Sequence, residues 1–217
     1  MIAVLTDLPV SGAIHVTPYG DSAPIAQERM GEHNVLWCAP ALTDPRATIH
    51  ALHMLGAHYL WLCETAGALS PLLETGDWLV ADDFIDGTRG QHYTFFSDKA
   101  GGFVQQVPPF DAASREALLR GAETICARPF RRGVYVCVSS TRLETPAEAA
   151  FWARAGAQVV GRYLSPYLPL AREREMRVAA LLYIGRGGGQ AAAAPLPPAT
   201  LRTLLAAALG ALDRDSL

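Results

Sequence analysis

Glu64 directly follows the apolar run Tyr59–Cys63, so the order of residues puts a carboxylate at the C-terminal end of a buried strand. Open α/β sheets bind their ligands at that end. A carboxylate there can accept a hydrogen bond from a substrate, hold a proton, or anchor a cationic side chain. Glu144 stands just before Thr145 and Pro146 and reads equally as a ligand group or as an ordinary charge at a helix entry. Arg162, after the run Val159–Gly161, can bind an anion or form an ion pair with Glu64 or Glu144, and the ion pair is the preferred reading. The histidines do not join this group. His15, His50, His53, His58 and His92 lack metal-ligand spacing, and His50 and His53, one helical turn apart, have no carboxylate or cysteine nearby to complete a site. There is no Ser-His-Asp arrangement, Walker loop or GxGxxG, and Gly187–Gly189 follows the last strand without phosphate-loop spacing.

The elements that must position these groups alternate in kind. Short β-rich apolar runs are read as strands at Ile2–Thr6, Ala13–Thr17, Val35–Ala39, Tyr59–Cys63, Trp78–Phe84, Val134–Ser139, Val159–Gly161 and Val178–Ile184. They lack clean alternation, as strands buried on both faces do. Helices are read at Arg46–Leu55, Asp111–Ala127, Pro146–Ala155, Pro169–Arg174 and Pro198–Leu212. Asp111 is a candidate N-cap for the second. Thr145, Pro146 and Glu148 spell a capping box for the third. Leu201, Leu204, Leu205, Ala208, Leu209 and Leu212 form one stripe on the last, expected to dock on the chain's own core. The pattern predicts an α/β fold, a mixed sheet covered by helices, in one domain over 1–217. The segment Gly185–Pro198, rich in Gly, Ala and Pro, reads as a mobile connection before a C-terminal helix at about 198–213.

Bulk properties narrow the partners. Half of the 217 residues are apolar, which supplies a core and excludes global disorder. A net charge of -3, with no basic stretch or tail, argues against nucleic acid and anionic membranes. Cys38, Cys63, Cys126 and Cys137 are widely spaced without a CxxC, so free thiols in a reducing cytoplasm are expected. The first residues carry no basic, apolar leader pattern, and the Ala- and Leu-rich C-terminal run is too interrupted to span a bilayer.

Six stretches, TPYGDSAPI (Thr17–Ile25), PRATIHALHMLGA (Pro45–Ala57), TAGALSPLLETGDWLVADDFIDGTRG (Thr65–Gly90), YTFF (Tyr93–Phe96), TRLETPAEAAFWARAGAQVVG (Thr141–Gly161) and PLARERE (Pro169–Glu175), carry a family resemblance. In order along nearly the whole chain, they resemble the purine nucleoside phosphorylase family and, within it, methylthioadenosine phosphorylase. The resemblance implies a three-layer fold with a twisted mixed sheet, a cytoplasmic homotrimer, and a pentosyltransferase acting on a purine nucleoside. Phosphate would be co-substrate, and no cofactor is implied. It also implies that Asp82, Asp83 and Asp86 belong to a structural strand and turn, not to a metal site.

The resemblance assigns positions for phosphate, sugar and base. At the phosphate end, Thr6 keeps a hydroxyl, but Val4, Leu5 and Asp7 replace the glycine-rich turn around it, and the Arg-His-Gly loop after the third strand is missing. Glu64 and Thr65 replace a Thr-Ala pair before Gly67. At the sugar, Arg162 replaces a methionine, Tyr163 a small hydroxyl residue and Tyr167 a glutamate. At the base, Ser140–Thr145 replaces Gly-Pro-Arg-Phe-Glu-Thr. Arg142 and Glu144 keep their types there, Leu143 replaces an aromatic, and Ile184 replaces the Asn or Asp that meets N7. The resemblance brings Arg162 and Glu64 to opposite sides of one cleft and so predicts that they pair. Two functions fit these residues. One is an active relative rebuilt around Thr6, Thr65, Arg142, Glu144 and Arg162. The other is a catalytically silent homologue that binds a ligand or partners another subunit.

Overall fold

The computed structural model of the chain describes residues 1–96, 104–139, 142–187 and 194–214. Along the chain run β1 (Ile2–Thr6), β2 (Val16–Thr17), β3 (Gly20–Asp21), β4 (Ile25–Met30), β5 (His33–Cys38), α1 (Pro45–Met54), β6 (Tyr59–Ala68) and β7 (Trp78–Val80). There follow β8 (Asp83–Asp86), α2 (Ala112–Glu123), β9 (Val134–Cys137), α3 (Pro146–Arg154), β10 (Val159–Gly161), α4 (Tyr167–Glu173), β11 (Arg177–Arg186) and α5 (Pro198–Arg214).

β1 is buried at all five positions because it is covered on both faces and paired on both edges, parallel to β5 and to β6. The main sheet runs β4-β5-β1-β6-β10-β9-β8, with β11 on β6 and β7 on β11. It is mixed: β4, β7 and the β6–β10 contact are antiparallel, the rest parallel. β6 is the hub. Its first half pairs with β1 up to Cys63, its end pairs with β10 from Gly67, and most of its length pairs with β11. Residues 64–66 therefore lie where β1 has ended and β10 has not begun, and this gap along one edge of β6 makes the cleft.

Two helical layers close the core. α2 and α5 cover one face, where Leu201, Leu204, Leu205, Leu209 and Leu212 pack with Trp37, Trp61 and Leu118. Each such leucine gains roughly 1.5–3 kcal/mol gross on burial. α1 and α4 cover the other, with Ile49, Leu52, Leu168 and Leu170 against Leu5, Leu60 and Leu62. The caps match the expectations: Asp111 accepts from Ser114 N, and Thr145 and Glu148 form both bonds of a capping box. α1 has a cap the pattern did not suggest, Asp44, which accepts from Arg46 N.

Several boundaries differ from the sequence reading. The Trp78–Phe84 run splits in two because β7 joins β11 while β8 joins β9. Of Ala13–Thr17, a bridge from Ala13 to Ile25 and the two-residue β2 are strand-like. β4 was not anticipated, since Gln27, Glu28 and Arg29 mask its β signal, as charges often do on an edge strand. β6 and β11 run further than their apolar cores, to Ala68 and Arg186. Part of the Gly185–Pro198 connection, 188–193, lies outside the described residues. On either side of it Ala194 N donates to Gly185 O, and Leu196 N donates to Thr65 Oγ1.

Candidate functional site

Glu64 is fully buried in the gap beside β6. Its Oε1 accepts from the Arg162 backbone N–H (3.1 Å) and from the Tyr135 hydroxyl, and its Oε2 accepts from the Tyr163 N–H (3.1 Å). The chain can turn this close to the carboxylate because residue 161 is glycine. A β-carbon there would run into Glu64 Oε1 and the Tyr135 ring. Burial pushes the Glu64 carboxyl up to about 7. The Tyr135 bond pulls against this, the Asp7 charge adds to it, and the two amides pull against it.

The remaining groups at this end are also taken by the protein. Asp7 Oδ2 accepts from Thr65 N (2.9 Å), and Asp7 Oδ1 is buried with no hydrogen-bond partner among the described residues. Thr6 is buried and its hydroxyl accepts from Leu8 N (3.3 Å), while the Thr65 hydroxyl accepts from Leu196 N (3.1 Å). The two hydroxyls at the phosphate end of the family's site thus hold backbone amides, one two residues on and one 131 residues away.

The second cluster centres on Glu144, whose side chain is 4% exposed. Arg162 Nη2 meets Oε1 at 3.0 Å, and Arg186 Nη2 meets Oε2 at 2.5 Å. The expected Arg162–Glu64 side-chain pair is therefore corrected. Arg162 gives Glu64 its backbone amide, and its side chain goes to Glu144 and to the Arg142 carbonyl (2.9 Å). The reason is geometric: with the amide committed to one carboxylate, the side chain leaves the same Cα toward the other.

Arg186 was missed by the sequence reading. It ends β11 opposite Gly67, and its guanidinium lies over that glycine, where a β-carbon would come within 2.7 Å of Nη2. The available signal was an arginine at the C-terminal end of a central strand, two residues beyond Ile184. Ile184 itself is fully buried in the core. Beside Glu144 and Arg186 lies a cavity of about 170 Å³.

Other expected residues stand apart from the two clusters. Arg142 is exposed and makes two 2.8 Å bonds to Glu148 at the start of α3. Leu143 is 45% exposed. Tyr163 contributes its amide, and its half-buried phenol is pushed up by burial. Tyr167 is buried in α4, and burial raises its phenol as well. Ser140 and Thr141 lie outside the described residues. Asp82 and Asp86 hold structure: Asp82 accepts from Gly133 N, and Asp86 accepts from Thr88 and from the Ser165 hydroxyl.

Residues 13–207 match the family model described as the Phosphorylase superfamily. The chain belongs to that superfamily. Among its relatives, the S-methyl-5'-thioadenosine phosphorylase of Thermofilum pendens is 34% identical over 137 residues, 63% of this chain and 52% of its own. That of Pyrococcus horikoshii is 34% identical over 170 residues, 74% of this chain and 66% of its own. A probable S-methyl-5'-thioinosine phosphorylase from Methanothermobacter thermautotrophicus is 31% identical over 178 residues, 78% of this chain and 61% of its own. The chain thus spans about half the length of the first of these curated relatives. In fold it is similar to methylthioadenosine phosphorylase from Schistosoma mansoni. The tubercidin complex has a TM-score of 0.84 at 19% identity, with 98% of this chain and 92% of that one covered. The apo form has a TM-score of 0.83 at 20% identity, with 98% and 91% covered. The mixed sheet between helical layers is the fold of these phosphorylases.

Proposed function

We propose that this phosphorylase-superfamily chain holds a purine base or nucleoside without phosphorolysing it, as a ligand-binding or oligomer-partner subunit. The observation that carries the reading is the fully buried Glu64. Two backbone amides and a tyrosine hydroxyl, donors of the kind that could hold an anion, instead hold the protein's own carboxylate. Asp7 adds a second carboxylate beside Thr65. Two unit charges about 4 Å apart at an effective dielectric of about 20 repel by roughly 4 kcal/mol. An incoming phosphate would meet that opposition where the reaction needs attraction. The other end keeps a polar pair, Glu144 and Arg186, beside a cavity, which suits a heterocyclic base.

The test is release of free base from methylthioadenosine, adenosine and inosine with and without phosphate. The expected result is no phosphate-dependent release. The second reading is a pentosyltransferase acting on methylthioadenosine or a related nucleoside with phosphate. It draws on relatives that are named methylthioadenosine and methylthioinosine phosphorylases at 31–34% identity. Phosphate-dependent release of adenine or hypoxanthine would establish it and overturn the first.

A further inference from the structure

We propose that His50 is a proton-operated latch. Neutral, it receives Arg174 and helps hold the connection between β8 and α2 onto the α1–α4 layer; protonated, it releases Arg174 and loosens that connection. The latch does not depend on what the cleft around Glu64 and Glu144 binds.

Four parts of the chain that are distant in sequence build it. His50 lies on α1, Tyr19 in the turn between β2 and β3, Arg174 at the C-terminal end of α4, and Phe95 in the connection that leaves β8. Arg174 Nη2 stands 3.3 Å from His50 Nδ1. The same guanidinium covers the Phe95 ring, with Cζ 4.0 Å from its centre. Tyr19 meets both partners edge-on, His50 at 5.6 Å and Phe95 at 5.1 Å between ring centres. Next to Arg174, Glu173 Oε2 accepts from Phe95 N at 2.7 Å. Among the described residues the contact with His50 is the one hydrogen bond of the Arg174 guanidinium, and its buried Nε has no partner.

The chemistry of that bond makes it sensitive to one proton. A guanidinium can only donate, so Nδ1 must accept, and the imidazole is neutral with its proton on Nε2. A second proton would occupy Nδ1, remove the acceptor and set a cation against Arg174. The nearby acids are already engaged, Glu173 by Phe95 N and Asp44 by Arg46 at 2.6 Å, while Asp21 on β3 is exposed to solvent. The other charges at this corner are cationic: His53 on α1, and Arg46, whose Cζ lies 5.2 Å from the Tyr19 ring centre. His92, in the same connection as Phe95, directs its charge toward Asp44. Burial first, then the Arg174 and His53 charges, push the His50 imidazolium below the ordinary 6.5. With the folded-state value below the unfolded one, the hold is complete above 6.5 and is lost as pH falls through the folded value.

Hydrogen exchange of the whole chain from pH 8 to about 5.5 tests the latch, read as protection of the Phe95 amide after correction for intrinsic exchange. The comparison is with His50→Asn, whose Oδ1 offers an acceptor at the Nδ1 position and takes no proton. Protection is expected to fall at least about threefold further in the wild-type chain than in the variant. Changes from other titrating groups are common to both and cancel. Histidine nitrogen NMR of the wild-type chain gives a readout that needs no variant. His50 should show the Nε2–H tautomer and titrate below 6.5, and Arg174→Met should raise its midpoint. Far-UV circular dichroism verifies that His50→Asn is folded, and the NMR titration decides if it is not. An Nδ1–H tautomer, a midpoint at or above 6.5, or an equal loss of protection in folded His50→Asn overturns the inference.

Discussion

Burial pushes the Glu64 carboxyl from an ordinary 4.5 up to about 7, against the three hydrogen bonds it accepts. Since the folded-state value lies above the unfolded one, the folded chain binds more protons between these two values. Stability from this group is fully present below the lower value and is lost as pH rises through the upper one. Thermal melts from pH 4.5 to 8 should show Tm falling over that window. Glu64→Gln should flatten the fall, whatever constant offset it adds by turning an amide toward the Tyr163 N–H. An unchanged slope would mean that Glu64 titrates as an ordinary glutamate. The same burial limits function: a group with no exposed surface meets a ligand only if Tyr135 or the 161–163 turn moves.

Among the elements, α3 is the loosest near the site. Its capping box is complete, yet none of its residues is buried and Phe151 is 56% exposed. A helix of nine residues that packs mainly through the half-buried Trp152 depends strongly on its ends. Thr145→Ala should therefore cost about 1 kcal/mol locally. It should appear as faster hydrogen exchange of the α3 amides with little change in global Tm. A large drop in Tm would show that α3 is coupled to the core more tightly than its burial indicates. Because α3 also walls the cavity beside Glu144 and Arg186, the same variant should weaken base binding.

For the whole molecule, the family resemblance implies a homotrimer, and the surface leaves room for one. Val16 on β2 and Met54 on α1 are 87% and 70% exposed, and other large apolar side chains such as Leu42 are exposed as well. Light scattering at micromolar concentration should give about three times the mass of the chain, and a stable monomer would remove the oligomer-partner role. Among the described residues no helix is long and apolar enough to cross a membrane.

Local pattern alone determined much of this protein. The capping box at Thr145, the Asp111 cap, the α5 stripe and the continuous apolar strands each depend on neighbours within a few positions, so the residues carry them without the fold. The place of Glu64 at a strand's end was legible for the same reason. Its partners were not. Tyr135 is 71 residues away, and the amides of Arg162 and Tyr163 are 98 and 99 away. They meet Glu64 only because β6, β9 and β10 lie side by side in one register, and a slip of one residue would turn every side chain to the opposite face. The choice of Arg162 between two glutamates was likewise decided by which way its amide pointed. Arg186 reached Glu144 through the extension of β11 to Gly67, a contact that no run of neighbouring residues encodes.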